Sequence, residues 1–185
     1  LEHRIEEAKL SERHDVVNNL KRNRHRSGIL LADAAGHNIT DALLAAMLHQ
    51  AFLTGVQYEL KNHGEVTGEL FEILNTRFFN SSSLSKFITL LYGEIHETGT
   101  FRFINAGHPP PVVFSNEFDK IVPIHDGRVV NYPPIGTLPS KEDVDSRFNF
   151  SRLGYKKKYS VNELNLMGCG DILLLYTDGF SEHNT

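Results

Sequence analysis

Read for polarity alone, the chain alternates between short apolar runs closed by small residues and longer stretches in which apolar residues recur every three or four positions. Leu1, Ile5 and Ala8 stand at helical spacing among the charges of residues 1–10, which predicts a short amphipathic helix. Gly28-Ile-Leu-Leu-Ala-Asp33 is a continuous apolar run closed by an aspartate, and it predicts a buried strand. After the small turn Ala34-Ala-Gly36, Asn38 or Thr40 is placed to cap a helix. The interior of that helix, residues 42–52, holds strong helix formers with apolar residues on most faces, so it is expected to be largely buried. Asn62-His-Gly64 breaks the pattern. Val66, Leu70, Phe71, Leu74 and Phe78 then predict a second core-packed helix within residues 65–79, followed by a serine-rich loop at 81–85.

Further along, the pattern shifts to a period of two. Phe87-Ile-Thr-Leu-Leu-Tyr-Gly-Glu-Ile95 and Phe101-Arg-Phe-Ile-Asn105 flank the turn signal His96-Glu-Thr-Gly-Thr100 and predict a hairpin. Pro109 to Pro111 interrupt the ladder before Val112-Val-Phe114, as where a strand bends at a sheet edge. Between residues 115 and 164, proline, glycine and charge predict short edge strands and a variable loop. Asp171-Ile-Leu-Leu-Leu-Tyr176, behind the turn Gly168-Cys-Gly, reads as another buried strand. It ends at Thr177-Asp178-Gly179, where glycine lets the chain turn directly behind the carboxylate. By itself Thr-Asp-Gly is a common turn signal. The sum is an α+β chain with antiparallel strands and no internal repeat.

Composition narrows the class. With 185 residues and 40% apolar content, one domain can bury a single sizeable core. With a net charge of −4 and basic residues spread through the chain, the short basic run Lys21-Arg-Asn-Arg-His-Arg26 reads as a solvated loop, so no nucleic-acid partner is expected. Cys169 is the single cysteine; this excludes an internal disulfide and a cysteine zinc cluster, and fits a reducing compartment. No uninterrupted apolar run reaches the roughly 18 residues needed to cross a bilayer, and no signal core opens the sequence, so a cytoplasmic domain is expected.

Two strands that each end in aspartate and a small-residue turn are the chemical signal. The blocks ADAAGHNITDALLAAML, FITLLYGEIHETGTFRFINAGHPPPVVF, Pro134-Ile-Gly136 and GDILLLYTDGFSE resemble, in the same order, those of the metal-dependent PPM-type serine/threonine phosphatases of the bacterial SpoIIE/RsbU-like branch. The resemblance implies an α-β-β-α sandwich of two mostly antiparallel sheets flanked by helices, with residues 1–12 as a linker helix from an upstream sensory module and 13–185 as the phosphatase domain. It also implies hydrolysis of a phosphoprotein, in this branch often a small anti-anti-sigma-type regulator, with a homodimer left open.

The chemistry so implied rests on clustered carboxylates, which repel unless cations neutralise them; oxygen-only ligands select Mg²⁺ or Mn²⁺ over zinc. By the resemblance two such ions are bound: Asp33 bridges them, the Ala34 carbonyl completes one shell, and Asp15 and Asp178 bind from opposite sides. Asp15 matches the family's Gly-Gly-Asp block, with Arg13 and His14 in place of the glycines, and is expected on a strand pairing antiparallel with the one that carries Asp33. Asn38 stands where the family usually has a second glycine, a substitution compatible with left-handed backbone. The family's further metal-binding aspartate lies in a C-terminal strand region beyond Thr-Asp-Gly, missing from the sequence that ends at Thr185. His108 is read as a structural histidine tying its turn together. These departures keep a second reading in play: a phosphatase-like signalling module that acts by protein binding.

Overall fold

A computed structural model describes residues 1–81, 86–124, 129–141, 150–165 and 168–180. Two short helices lead: α1 (Glu2–Leu10) and α2 (His14–Lys21). Ile5 and Ala8 of the first pack against Val17 and Leu20 of the second in a small core of their own. This overturns one expectation. The stretch around Asp15 is helical, because Val17 and Leu20 at i and i+3 satisfy a helical face against α1 better than an alternating strand.

The strand β1 (Arg26–Ala34) follows, then the long helix α3 (Ile39–Asn62) and α4 (Gly68–Ser81). Next come the hairpin β2 (Ile88–His96) and β3 (Thr100–Ala106), and the short strands β4 (Val112–Ser115) and β5 (Lys120–Val122). After these lie β6 (Asn131–Tyr132), β7 (Asn162–Asn165) and β8 (Ile172–Leu174). Of the serine loop expected at 81–85, all but Ser81 lies outside the described residues, as do residues 125–128 and 142–149 of the region expected to hold edge strands and a variable loop.

Two sheets result. In the first the order is β1-β2-β3-β6, with β7 also on β3; in the second it is β5-β4-β8. All the pairings are antiparallel except β3 with β6. Residues alternate across β2, so Ile88, Leu90 and Tyr92 face the helices while Leu91 faces the second sheet. On the helix side they join Leu48, Phe52, Leu70, Phe71 and Leu74 in the main core. On the other side Leu91, Phe101 and Phe103 meet Leu173 and Leu175, with the two phenylalanine rings stacked 5.0 Å apart. Helices, first sheet and second sheet are three layers of the sandwich that the resemblance implies.

The second helix of the main core is as the periodicity predicts: Leu70, Phe71, Leu74 and Phe78 are all buried, as is Val66 just before it. The long helix is not. Only Asp41, Leu48, Phe52 and Glu59 of α3 are buried, and Ile39, Leu43, Met47, Leu53 and Tyr58 are exposed. An apolar sequence on all faces specifies that a helix can be buried, but the sheet beneath α3 covers one side only. By length and composition α3 could also cross a membrane; here its packed face joins the core, with the Phe52 ring 5.2 Å from that of Tyr92.

Buried polar groups on α4 anchor the later loops. Asn75 is fully buried; its amide donates to the Leu138 carbonyl and accepts from Gly136 N–H, which holds the Pro134-Ile-Gly136 block. Glu72 accepts from the Tyr159 N–H, the Ser140 hydroxyl and Lys156 Nζ, the last at 3.0 Å. Lys156 Nζ lies 3.4 Å from the Tyr159 ring centroid. Each charge in this group is compensated, so removing one partner strands the other in a dry site. Glu72→Ala is expected to lower the unfolding free energy by roughly 3–5 kcal/mol, read from urea transitions followed by circular dichroism.

Candidate active site

Asp33 is the eighth residue of β1, opposite Thr89 of β2. Paired residues of an antiparallel ladder project to the same face, and Thr89 lies on the face opposite to that of Ile88 and Leu90. Asp33 therefore leaves the first sheet on the side of the second. Asp178 arrives from the second sheet. It opens a single 3₁₀ turn, Asp178–Phe180, four residues beyond the end of β8, and is exposed. The two sequence-predicted carboxylates thus meet at one end of the seam between the sheets, within hydrogen-bond reach of each other.

Their electrostatics are those of two carboxyl groups brought into contact. Burial pushes the Asp33 carboxyl up from its ordinary value, and the hydrogen bond and charge of Asp178 push the same way; His108 and the Ala34 N–H oppose them. No lysine or arginine figures among the groups acting on Asp33. A shared proton or a bound cation would relieve that repulsion.

His108 lies in the turn that carries the chain from the first sheet to the second. Gly107 in that turn has φ of +71°, and a Cβ there would strike Pro134. Asn105 closes the turn: its amide donates to the His108 carbonyl and its oxygen accepts from the His108 N–H, at 2.8 and 2.9 Å. That supports the structural reading of the histidine. The ring does more than tie the turn. Nδ1 lies 3.0 Å from the Thr89 hydroxyl, which in turn reaches the Asp33 carbonyl at 3.5 Å. Nε2 is buried without a well-formed hydrogen bond, and its polar surroundings are the Tyr176 backbone and the carboxylates of Asp33 and Asp178. Burial pushes the imidazole below its ordinary value, against those three influences, so the ring is neutral beside the carboxylates. The Asn-Ala-Gly-His order carried this signal in the sequence, but the partner Thr89 is visible only once β2 and the turn are packed together.

Asp15 is not brought to the pair. It lies in the first turn of α2, and Asn19 one turn later donates to the carbonyls of Lys61 and Asn62. Those close the C-terminal end of α3, whereas Asp33 lies by its N-terminal end; a helix of 24 residues is roughly 36 Å long. Ala34, directly after Asp33, packs against the main core. Asn38 needs no left-handed backbone: its φ is −91° and ψ 168°, an extended N-cap. The left-handed position in the turn is Gly36, at φ +112°.

For a divalent cation the fit is that of two hard oxygen donors, from two sheets, whose repulsion a cation would relieve. Among the described residues no group of three or more histidine, cysteine, aspartate or glutamate side chains could hold a metal.

Comparison with known proteins bears on the family and the fold. The profile described as Stage II sporulation protein E (SpoIIE) matches residues 23–185. The chain is 31% identical over 156 residues to "Phosphoserine phosphatase RsbP" of Bacillus subtilis (strain 168), covering 84% of this chain and 33% of that protein. It thus spans about a third of the relative's length. Among solved structures, the RsbU and RsbW domains of Rv1364c from Mycobacterium tuberculosis superpose with a TM-score of 0.58 at 22% identity, over 85% of this chain and 37% of that one. The SiaA-PP2C domain of Pseudomonas aeruginosa gives a TM-score of 0.53 at 13% identity, over 95% and 71%. The fold is therefore that of PP2C-like domains.

The raised Asp33 carboxyl has a definite sign. A carboxyl that binds its proton more tightly when folded contributes stability that is fully present below its unfolded value near 4 and is lost as pH rises through the folded value. In EDTA, Asp33→Asn should therefore raise the urea midpoint at pH 7 and change it far less at pH 4. An equal effect at both would show that the repulsion is absent.

Proposed function

The chain belongs to the SpoIIE family, and on that premise we propose that it is the catalytic part of a divalent-metal-dependent protein serine/threonine phosphatase. The substrate is a phosphorylated protein regulator in bacterial signalling, in this branch of the anti-anti-sigma type. The observation that carries the reading is the facing pair Asp33 and Asp178, delivered from two sheets to one end of the seam between them. The match to a relative named a phosphoserine phosphatase supports the same activity.

Asp33 and Asp178 would hold the metal, with the Ala34 backbone beside them. When bound, Mg²⁺ or Mn²⁺ supplies a Lewis acid that lowers the pKa of water and stabilises the charge building on the phosphoryl oxygens. In the hydrolysis, water oxygen forms a bond to phosphorus, the phosphorus–oxygen bond to the serine or threonine breaks, and the leaving oxygen takes up a proton to restore the hydroxyl. The chain's own part is positional. β1 and the turn after β8 set the carboxylates, and the neutral His108 and Thr89 brace the Asp33 carbonyl. Exposure of Asp178 leaves the seam open to a folded phosphoprotein.

Asp15 at the far end of α3, and, among the described residues, only two carboxylates at the seam, favour one second reading: a phosphatase-like module that acts by binding a partner. Calorimetric titration with Mn²⁺ separates the two. An enzyme binds the ion, hydrolyses a phosphoserine peptide or an aryl phosphate, and stops in EDTA. Asp33→Asn and Asp178→Asn should each cost more than the roughly 10–100-fold that follows loss of a group one layer removed from the metal, while Asp15→Asn leaves turnover unchanged. A folded chain that binds no Mn²⁺ at millimolar concentration would instead support the binding module.

A further inference from the structure

Asp41 is a charged residue buried in the first turn of α3, only 2% exposed. Its position follows from the capping box with Asn38, in which the Asp41 carboxylate returns to the N-cap and accepts from the Asn38 N–H at 2.9 Å. Aspartate is almost never this buried unless it is paired. This one is enclosed. One oxygen fills the space where a Cβ at Gly36 would be, and the other is ion-paired with Lys86. Lys86 belongs to the segment that leads into β2, two residues before Ile88. In that segment the Phe87 carbonyl accepts from the Ala35 N–H at 3.0 Å.

The turn 35–38 is consequently strapped at both ends to one short piece of chain. Ala35 is held by Phe87 directly, and Asn38 through Asp41 and Lys86. The metal-site candidates Asp33 and Ala34 immediately precede this turn, at the end of β1. Any drift of the turn would pull the strand end away from β2 and let the Asp33 carboxylate swing clear of Asp178, which their mutual repulsion favours in the absence of a cation.

We infer that Asp41 and Lys86 are positioning residues for the metal site: their part-buried ion pair fixes the turn after β1 and so keeps Asp33 facing Asp178 before any ion is bound. The inference rests on the phosphatase reading for its purpose, but not for its geometry. Lys86 holds the Asp41 carboxyl below the usual carboxylate range, helped by the Asn38 N–H, so the pair is ionised at neutral pH. Pre-organisation of this kind lowers the cost of bringing like charges together and appears as metal affinity.

The test uses the full chain with Asp41→Asn, Lys86→Met and the conservative Lys86→Arg, and two measurements. Amide hydrogen exchange in EDTA reads the turn itself. Asp41→Asn and Lys86→Met should each speed exchange at Ala35, Gly36 and Asn38 by about tenfold or more, leaving Leu91 and Phe103 in the central strands unchanged, and Lys86→Arg should restore protection. Calorimetric titration with Mn²⁺ should show affinity weakened by about 10–100-fold in the first two variants and recovered in the third. Unchanged exchange at the turn, or acceleration spread equally into Leu91 and Phe103, overturns the inference, the second outcome showing a merely structural pair. Loosening of the turn with Mn²⁺ affinity intact also overturns it. If the parent chain binds no Mn²⁺, the phosphatase reading falls, and the exchange measurement alone decides whether the strap exists.

Discussion

Two aspartates that repel each other, held face to face at the end of a seam between two sheets, set the terms for the rest of this structure. Such a pair survives in a metal-free protein only if the backbone on each side is stiff enough to resist the repulsion, or if the two share a proton. The packing supplies the first condition, and the raised Asp33 carboxyl favours the second. The Asp33 carboxyl is pushed up by burial and by Asp178, and each aspartate is carried by a chain segment whose neighbours are fixed by packing. On the first sheet the ladder of β1 with β2 runs without a break from Arg26 opposite His96 to Ala34 opposite Ile88. On the second, Leu173 and Leu175 lock the approach to Asp178 into the inter-sheet core with Leu91, Phe101 and Phe103. The Asn105–His108 turn joins the two sheets at the same end, so a shift of one against the other is resisted where the carboxylates meet.

The polar groups buried elsewhere act in the same direction. Asn75, Glu72 and Lys156 cost desolvation free energy that the hydrophobic core must offset, and a buried ion pair is weak evidence of net stability. What they confer is register. Asn75 ties the loop at Gly136 and Leu138 to α4, and Ile135 exchanges backbone hydrogen bonds with Ile88 at the start of β2. A loop fixed to α4 is thereby also fixed to the strand that carries Thr89. Glu94 performs the comparable task at the opposite end of β2, accepting from the Tyr92 hydroxyl and the Val66 N–H and pairing with Arg102. The central strand of the first sheet is thus held at both ends by side chains that tolerate only one arrangement.

Much of this was legible in the sequence wherever a local pattern had a single physical solution. An apolar run too short for a helix, closed by aspartate and glycine, marked the strands before Asp33 and Asp178, although β1 and β8 are partly or fully exposed along their length rather than buried as the apolar runs predict; the β2–β3 hairpin and the buried positions of α4 followed from period alone. Legibility failed where the pattern admitted two solutions. Val16-Val17 beside Asp15 suits a strand by propensity, and only the packing of Val17 and Leu20 on Ile5 and Ala8 decides for a helix. The apolar residues of α3 on most of its faces reveal nothing about how many of those faces a neighbour covers. Nor could spacing show that Asp41 and Lys86, far apart in sequence, meet at the turn after β1, since the contact exists only once β1 and β2 are in register.

That register matters more here than in a sheet whose active strand is flanked on both sides. Among the described residues β1 pairs with β2 alone, so it is an edge strand, and the backbone groups along its other side have no ladder to hold them. Edge strands of this length and apolar character fray or slip unless something blocks them. At its beginning Arg26 is paired with Glu65 and Glu94, which pins the strand where it leaves α2. At its end the task falls to the Ala35–Phe87 hydrogen bond and to the Asp41–Lys86 pair, close to the carboxylate whose position the chemistry needs. A strand supported from one side can deliver a fixed aspartate only if both its ends are anchored, and the anchors at the two ends of β1 are charged groups drawn from different parts of the chain.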